Sequence, residues 1–545
     1  EAHLDSTRNI LNIYYEKRSF VGFEDFIRSN KILLRGQPIE EFYGSFEGPL
    51  FYCEPVFKGR PATIFFRNPE YNPLRDYSRV KILNPPSQDD DEDEDQKLRC
   101  FKMADNAHYY GCVHTILKLS GFKQTSERPD WSLFFGGYMK LEGLKNFGPF
   151  QKFNHFPGNW CLGRKDHLWK ILYSSIQQYP DHYQFCPATF LLPQDWMEFS
   201  KTRERNPKKL FILKPTDSCS GRGIKVLKKN THVQNKCGYV VSEYITQPHL
   251  ISKLKYDLRI YVAVTSFNPL RAYLYKNGMV RFATQPYENT SKSLTKKYVH
   301  LTNYSVNKHG ENFIDCQDLK QDGEGSKWTL SALRTEFERL GLDYEELMKG
   351  IKDLIVKTLI SAEGYVNEQC EKNMQYRNSC YELYGFDVLV DKKLKPWLLE
   401  VNTAPSLKST SGLDKALKTS VYADLLNLVG FYIPEKADFN DESYQFDPSV
   451  NRMKLKRMQN AWKSIKKDKD KLQLQHKGLN SYDYEVLLEY EEEDSRSGDF
   501  ERIFPNRDNV LEYSQLFKTK SYQNMLLWSY LRSKPTWLTT KFSIN

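Results

Sequence analysis

Asp387, Glu400 and Asn402 carry the sharpest chemical signal in this sequence. They sit in two β-rich runs, 384–390 and 396–402, joined by the tight turn Asp391-Lys392-Lys393. With the hairpin centred between Lys393 and Leu394, Asp387 falls opposite Glu400. Asn402, two residues further on, shares that face by the strand period. Trp397, Leu399 and Val401 then fill the other face. Like charges directly opposite destabilise a sheet. A hard divalent cation would neutralise them, and Mg²⁺ prefers oxygen donors of this kind. Two solvated acidic residues on a sheet edge are the plainer alternative, and a register slip of one residue would separate the pair.

Three more groupings hold chemistry-bearing residues. In Lys214-Pro-Thr-Asp-Ser-Cys-Ser-Gly-Arg-Gly223 a strand ends in a lysine and enters a small-residue loop. Gly221 and Gly223 let backbone N–H groups approach phosphate oxygens, and Lys214 and Arg222 add charge. The loop fits neither a Walker A motif nor a dinucleotide fingerprint, and a plain β-turn is its bland reading. In Lys255-Tyr-Asp-Leu-Arg-Ile-Tyr261, Asp257, Arg259 and Tyr261 alternate with apolar residues and so share one face of a strand. That is either an exposed sheet face or, in a cleft, a carboxylate and a guanidinium aimed at a ligand. Arg281 is followed by the polar run His300-Leu-Thr-Asn-Tyr-Ser-Val-Asn-Lys308, whose Asn and Ser side chains could simply bond their own backbone in a turn.

These side chains need a scaffold. A chain of 545 residues exceeds one ordinary core and predicts two to four domains or subdomains. Apolar residues at 40% and aromatics at 14% supply material to bury, so a wholly disordered chain is excluded. Strand-like runs separated by Gly-rich turns begin near 210. Asn277-Gly278 between 272–275 and 280–283 reads as a hairpin turn. Residues 106–119, 328–340 and 347–363 read as helices, and 421–433 as an amphipathic helix. No apolar run reaches about 18 residues, so no membrane-spanning helix is expected. Ten scattered cysteines lack C-x-x-C spacing, which points away from zinc and towards a reducing compartment.

Charge is unevenly spread. The net charge is +10, and residues 452–477, with ten Lys/Arg and two Asp, hold +8 of it. Leu455, Met458, Trp462 and Ile465 recur at helical spacing there, with Leu472 extending the stripe. Lys454, Arg457, Lys463, Lys466, Lys467 and Lys471 cover the other faces. Such a cationic amphipathic helix suits an acidic polymer surface; without a groove-reading or base-stacking module, nucleic acid is the weaker partner. The seven carboxylates at 89–95 read as a solvated acidic loop.

Taken together, the motifs resemble the tubulin tyrosine ligase-like family of ATP-grasp enzymes. The resemblance runs from Asn154-His-Phe-Pro and Gly163-Arg-Lys-Asp166 to about Phe431 and includes Lys214-Pro, Tyr256-Asp-Leu-Arg-Ile-Tyr261, Arg281-Phe-Ala283, the 300–308 run, Leu383-Tyr-Gly-Phe-Asp387 and Lys395-Pro-Trp-Leu-Leu-Glu-Val-Asn402. The Lys-rich segment followed by Gly498-Asp-Phe-Glu-Arg-Ile-Phe-Pro505 is similar to the glutamylase branch that works on microtubules. The resemblance implies an α/β (α+β) ATP-grasp-like fold with N-terminal (1–150), catalytic (151–433) and C-terminal (434–545) parts, the last bearing a microtubule-binding helix.

It also implies roles. Lys214, Gly221, Arg222, Gly223, Ser242, Glu243, Tyr244, Ile245, Lys255, Asp257, Thr302 and Asn303 would bind ATP. Asp387, Glu400 and Asn402 would hold Mg²⁺. Arg281, Tyr304, Ser305, Lys327 and Lys418 would bind free glutamate. Ser220 and Thr403 fall where branch-initiating and branch-lengthening members differ. Arg259, with Lys214, would face the transferred phosphate. The implied reaction joins glutamate to glutamate side chains of tubulin C-terminal tails through an acylphosphate. The expected setting is a monomer at the cytoplasmic cytoskeleton, a cilium or a basal body, with no membrane and no nucleic-acid partner. A glycylase, a glutamylase of other acidic proteins, and an inactive microtubule-binding protein are the alternatives.

Overall fold

The computed structural model describes residues 50–68, 78–82, 99–126, 131–137, 139–218, 221–228, 230–315, 321–433, 441–467, 474, 477–533 and 536–544, together with the short strands Leu33–Leu34 and Gln37–Pro38. The acidic run 89–95, Ser220, Lys471, Leu472 and most of 1–85 lie outside the described residues.

After the two-stranded pair Leu33–Leu34 and Gln37–Pro38 come two small four-stranded sheets. One orders Tyr432–Ile433, Ala62–Ile64, Phe51–Cys53 and Val80–Ile82; the other is parallel and orders Lys123–Gln124, Cys100–Met103, Leu133–Phe135 and Lys152–Phe153. Helix α1 (Lys165–Gln178) leads into a lobe built from β1 (Thr189–Leu192), α2 (Trp196–Arg205), β2 (Phe211–Pro215), β3 (Lys225–Leu227) and β4 (Tyr239–Glu243). Its antiparallel sheet has the order β1-β4-β2-β3 and packs Phe190, Phe199, Phe211 and Val241 in a core of its own.

The main sheet is antiparallel and contains β5 (Leu254–Phe267), β6 (Leu270–Phe282), β7 (Lys327–Thr329), β8 (Glu382–Val390) and β9 (Pro396–Asn402), in the order β7-β6-β5-β8-β9. Because strand side chains alternate, its two faces bury different sets. Leu258, Ile260, Val262 and Val264 join Phe386 and Val388 against α3 (Tyr344–Asn373). Tyr261, Ala263 and Leu383 join the face covered by α4 (Gly412–Val429). Asp343 caps α3 by accepting from the Glu346 N–H, and Ser411 caps α4 by accepting from the Asp414 N–H. Asp414 thereby sits in a first helical turn, where the helix dipole favours a carboxylate.

The C-terminal part includes helices α5 (Arg452–Lys467) and α6 (Ser481–Ser495), strand β10 (Phe500–Phe504) and helix α7 (Tyr522–Ser533). Strand β10 pairs with β6, so the C-terminal part extends the main sheet. Met458, Trp462 and Ile465 of α5 are buried, with the Trp462 ring 5.5 Å from that of Trp528 on α7. Lys454 turns inward to Asp447 (2.6 Å), whereas Arg452, Lys456, Arg457, Lys463, Lys466 and Lys467 are exposed. None of the described helices is long and apolar enough to cross a membrane.

Two local expectations are corrected. Asn277-Gly278 is no hairpin turn: β6 runs through it, and the chain reverses at Asn268-Pro269. Asn277 Oδ1 instead accepts from the Leu330 N–H (2.9 Å), and a Cβ on Gly278 would lie 2.6 Å from the Arg259 carbonyl oxygen. In β9, Leu398 and Val401 are the buried pair, while Trp397 and Leu399 are only half-buried. A register shift between Asp387 and Val388 breaks the simple alternation.

Candidate active site

That irregularity sets the central geometry. Near the turn Val388 faces Leu398 and Val390 faces Pro396, a register that would carry Leu399 opposite Asp387. The extra residue in β9 restores Asp387 opposite Glu400 and Gly385 opposite Asn402. On the next strand Arg259 pairs with Asp387, and Asp257 pairs with Arg281 beyond it. Four charged side chains thus meet on three adjacent strands.

Arginine and aspartate interlock there. Arg281 donates from Nε and Nη2 to the two oxygens of Asp257 (2.8 and 2.6 Å) and reaches Asp387 with Nη2 (2.8 Å). Arg259 donates to both oxygens of Asp387 (2.6 and 3.2 Å). Burial opposes ionisation of Asp387, but Arg259 and Arg281 outweigh it and hold the carboxyl well below the usual range. Arg281, expected to present an open fork to an incoming carboxylate, has its fork filled by Asp257. Gly385 makes room for this packing, since a Cβ there would lie 3.0 Å from Arg259 Cδ.

Two lysines flank this group. Burial pulls Lys214 down to about 8 against the attraction of Glu400, with Lys165 repelling it further. Burial takes Lys255 to about 7 despite Asp257, with Lys214 adding repulsion. Lys255 donates to the Tyr244 hydroxyl (3.1 Å) and the His300 carbonyl (3.0 Å), and Tyr244 in turn donates to His300 Nδ1 (2.8 Å). Burial and Lys255 depress His300 to about 4, so its neutral ring donates from Nε2 to the Ser293 carbonyl (3.0 Å). The polar run at 300–308 is therefore partly structural, with Asn307 bonding the Leu301 and Asn303 carbonyls (2.7 and 3.1 Å).

The glycine loop leaves β2 beside these lysines. Gly221 and Gly223 have φ of +74° and +76°, and a Cβ on Gly221 would press on Asn303 Oδ1 at 3.0 Å. Arg222 is exposed. Ser242 is buried and accepts from Thr189 Oγ1 (2.9 Å), Glu243 is engaged by Lys209 (2.8 Å), Ile245 is half-buried just past β4, and Thr302 is buried. A cavity of about 50 Å³ between the lobe and β9 is lined by Lys165, Lys214, Ser242 and Leu398.

A third grouping lies under α4. Lys327 donates to Asp414 and Thr410 (both 2.9 Å) and sits 4.0 Å over the Tyr304 ring. Lys418 lies 3.4 Å from the other oxygen of Asp414 and donates to the Lys408 carbonyl (2.6 Å). Burial lowers the Lys418 pKa, Asp414 counters it, and Lys327 and Arg259 add repulsion. Ser305 is half-buried beside Tyr304, and the Thr403 side chain lies against Gly163, where a Cβ would approach it to 2.8 Å.

The donor set at Glu400 fits a hard cation. Asn402 donates from Nδ2 to the Gly385 carbonyl (3.1 Å), which leaves Oδ1 as an acceptor. Lys165 lies 3.2 Å from Glu400 and donates to the Ser218 carbonyl (3.0 Å), tying the glycine loop to β9. Among the described residues no three His, Cys, Asp or Glu side chains come together as a metal cluster. Two carboxylates and a carboxamide suit Mg²⁺ when phosphate and water complete the shell. Sequence reasoning left Lys165 and Asp414 out of the site. Lys165 stood in the Gly163-Arg-Lys-Asp166 block, and Asp414 stands four residues before Lys418 on one helix face. A cleft of about 380 Å³ between α2 and β3 contains none of the predicted residues. Convergent charge, not volume, marks the site.

The tubulin-tyrosine ligase family profile matches residues 144–439, a span that includes every residue placed above. The chain is 39% identical over 435 residues to the tubulin monoglutamylase TTLL4 of Mus musculus, an alignment covering 76% of this chain and 36% of that protein. It is 36% identical over 407 residues to the tubulin polyglutamylase ttll-4 of Caenorhabditis elegans (73% of this chain, 67% of that protein). Over 439 residues it is 36% identical to the tubulin polyglutamylase TTLL5 of Mus musculus (76% and 33%). The chain thus spans about a third of the length of the two mouse relatives.

Proposed function

Because the chain belongs to the tubulin-tyrosine ligase family, we propose that it is a glutamate ligase acting on the acidic C-terminal tails of tubulin, built on an ATP-grasp scaffold. The observation that carries the reading is the convergence of Lys214 and Lys255 with the Gly221–Gly223 loop and the oxygen donors Asp387, Glu400 and Asn402. Burial works against the charge of the two lysines, drawing Lys214 down to about 8 despite Glu400 and Asp387 and Lys255 to about 7 despite Asp257. A polyphosphate laid beside them would restore that charge.

ATP with Mg²⁺ would supply the phosphoryl group that activates the acceptor carboxylate as an acylphosphate. Lys214, Lys255 and the Gly221–Gly223 loop bind and orient the phosphates. Tyr244 and His300 hold the Lys255 ammonium at a fixed place. Asp387, Glu400 and Asn402 would hold the cation, and Arg259 would steady both Asp387 and the charge that develops on the transferred phosphoryl group. Lys327 and Lys418 receive the carboxylates of the free glutamate. Arg281 positions Asp257 and Asp387. The glutamate amine then attacks the activated carbonyl carbon, forming the amide as phosphate leaves. No protein nucleophile takes part; positioning and charge compensation carry the reaction. The exposed cationic face of α5 docks the enzyme on the microtubule.

Incubating the purified chain with microtubules, Mg-ATP and glutamate or glycine, then weighing both tubulins intact, tests the reading. Glutamate-sized mass steps are expected. Glycine steps, or none on tubulin that binds the chain, would overturn it.

A further inference from the structure

The Lys327 ammonium already has an acceptor within the chain for each of its N–H groups. Asp414 Oδ2 and Thr410 Oγ1 take two (both 2.9 Å), and Asp315 Oδ1 takes the third (3.3 Å). The Tyr304 ring lies 4.0 Å from the same nitrogen. An ammonium has three donors and no more. A substrate carboxylate therefore reaches Lys327 only by replacing one of these partners. Lys418 is placed differently. Among the described residues it donates to the Lys408 carbonyl (2.6 Å) and lies 3.4 Å from Asp414, which leaves a donor over.

The three partners are not equally fixed. Asp414 is 2% exposed and stands in the capped first turn of α4. Its Oδ2 also accepts from Thr410 Oγ1 (2.7 Å), so those two partners hold each other. Asp315 lies on an irregular segment, its side chain is 22% exposed, and its contact with Lys327 is the longest of the three. The backbone beside it is anchored. The Ile314 N–H donates to Ser326 Oγ (3.1 Å), and the Ser326 N–H donates to the Ile314 carbonyl (2.9 Å). A change of side-chain rotamer can then withdraw the Asp315 carboxylate while the chain stays in place.

The exchange preserves charge. With Asp315 in place, Lys327 and Lys418 face two carboxylates, Asp315 and Asp414. Removing one partner from a buried ion is costly. Asp315 lowers that cost for Lys327 before the amino acid arrives. A carboxylate of the free amino acid makes the same contact and keeps the same balance.

We propose that Asp315 is a displaceable stand-in for a substrate carboxylate: it occupies Lys327 until free glutamate binds and then gives way, while Asp414 stays. The proposal rests on the glutamate-ligase reading. It makes Asp315 a built-in competitor that weakens the grip on the amino acid. The apparent dissociation constant is the intrinsic one divided by the fraction of molecules in which Asp315 has withdrawn. A permanent Asp315 that only fastens its segment to β7 is the competing account.

The test measures glutamate affinity directly. Calorimetry on the full chain with Mg²⁺ and a non-hydrolysable ATP analogue gives binding without turnover, and incorporation into microtubules gives KM. Asp315→Asn keeps the size of the side chain and removes its charge. It is expected to tighten glutamate binding and lower KM for glutamate about five-fold or more, with KM for ATP within about two-fold. Asp315→Glu, which keeps a carboxylate, should bind glutamate no tighter than wild type. Asp414→Asn should act in the opposite direction and weaken glutamate binding about ten-fold or more. A contact that merely fastens the segment gives no tightening when it is removed, so the sign of the change separates the two accounts. Glutamate affinity unchanged or weaker in Asp315→Asn, or in Asp315→Ala should Asp315→Asn not fold, overturns the proposal, and wild-type incorporation then leaves the ligase reading intact. Tighter glutamate binding by Asp315→Asn without incorporation by either protein would overturn the ligase reading and leave the displacement standing. Glutamate binding by neither protein would overturn both.

Discussion

Strand β6 carries Arg281 at one end and Arg271 near the other, and both are buried against carboxylates. Arg271 contacts Glu489 (3.3 Å) and Glu493 (3.2 Å) of α6; Arg377 adds two bonds to Glu489 (3.0 and 2.7 Å). Arg60 engages Glu485 and Glu492, and Arg496 lies 3.9 Å from Glu492. Four arginines meet four glutamates there, and Lys152, drawn down to about 8 by burial, stands beside them as a fifth cation. Around Arg281 the count differs. Lys165, Lys214, Lys255, Arg259, Arg281, Lys327 and Lys418 outnumber Asp257, Asp315, Asp387, Glu400 and Asp414 by two. The lesson is that a surplus buried cation does not by itself mark a site: around Arg281 the lysines adjoin a glycine loop and the oxygen donors Glu400 and Asn402, whereas around Arg271 the charges fasten elements together.

The comparison can be broken from either end. Glu400→Gln should have the largest effect, reducing ligation at least about a thousand-fold, the scale of removing one transition-state electrostatic contact. Microtubule co-sedimentation and melting temperature should be unchanged, because Glu400 is half-exposed. Retained turnover would show that this carboxylate holds no cation. Glu489→Ala should do the reverse. It strands Arg271 and Arg377 in the interior and should cost about 3–5 kcal/mol in urea unfolding, with kcat of the folded fraction unaltered. Coincident loss of kcat would place the two clusters in one functional unit.

A third experiment reads the surplus charge through pH. Lys255 and Lys214 sit at about 7 and 8 before an anion arrives. A bound polyphosphate favours their charged forms and raises both values. Nucleotide binding should therefore take up protons above about pH 7, and affinity should fall as pH rises from 7 to 9, by up to about ten-fold per unit for one lysine. Calorimetry in buffers of different ionisation enthalpy measures the uptake; none at pH 8 would remove the lysines from the phosphate site. The smallest effect is expected on the surface. Reversing Lys463, Lys466 and Lys467 should weaken microtubule co-sedimentation several-fold and flatten its salt dependence. Binding indifferent to both changes would make α5 a purely structural helix.

Much of this was legible in order but not in context. The Asp387–Glu400 pairing follows from a hairpin centred between Lys393 and Leu394, yet the turn itself is centred differently and the pairing survives through the irregularity after Asp387. A bulge has no sequence period, so the Leu399 and Leu398 positions were interchanged. Asn277-Gly278 met the local rule for a hairpin turn and was overridden, because continuing β6 lets Asn277 receive the N–H at the start of the helix after β7. The basic stripe of α5 was readable, since Met458, Trp462 and Ile465 sit at helical spacing. The acidic stretch after residue 484 gave no hint of burial: its partners Arg60, Arg271 and Arg377 come from distant segments.

The sequence by itself determined the strand and helix periods and the location of the cationic helix, because these depend on spacing within one element. Only the tertiary structure decided which charges are neutralised and which remain in excess. Arg281 clasps Asp257 and Asp387, which stand on two different strands. Lys327 and Lys418 share Asp414 from elements far apart in the chain. A buried ion's state is set by every charge within a few ångströms, and that neighbourhood exists only once the strands and helices have packed.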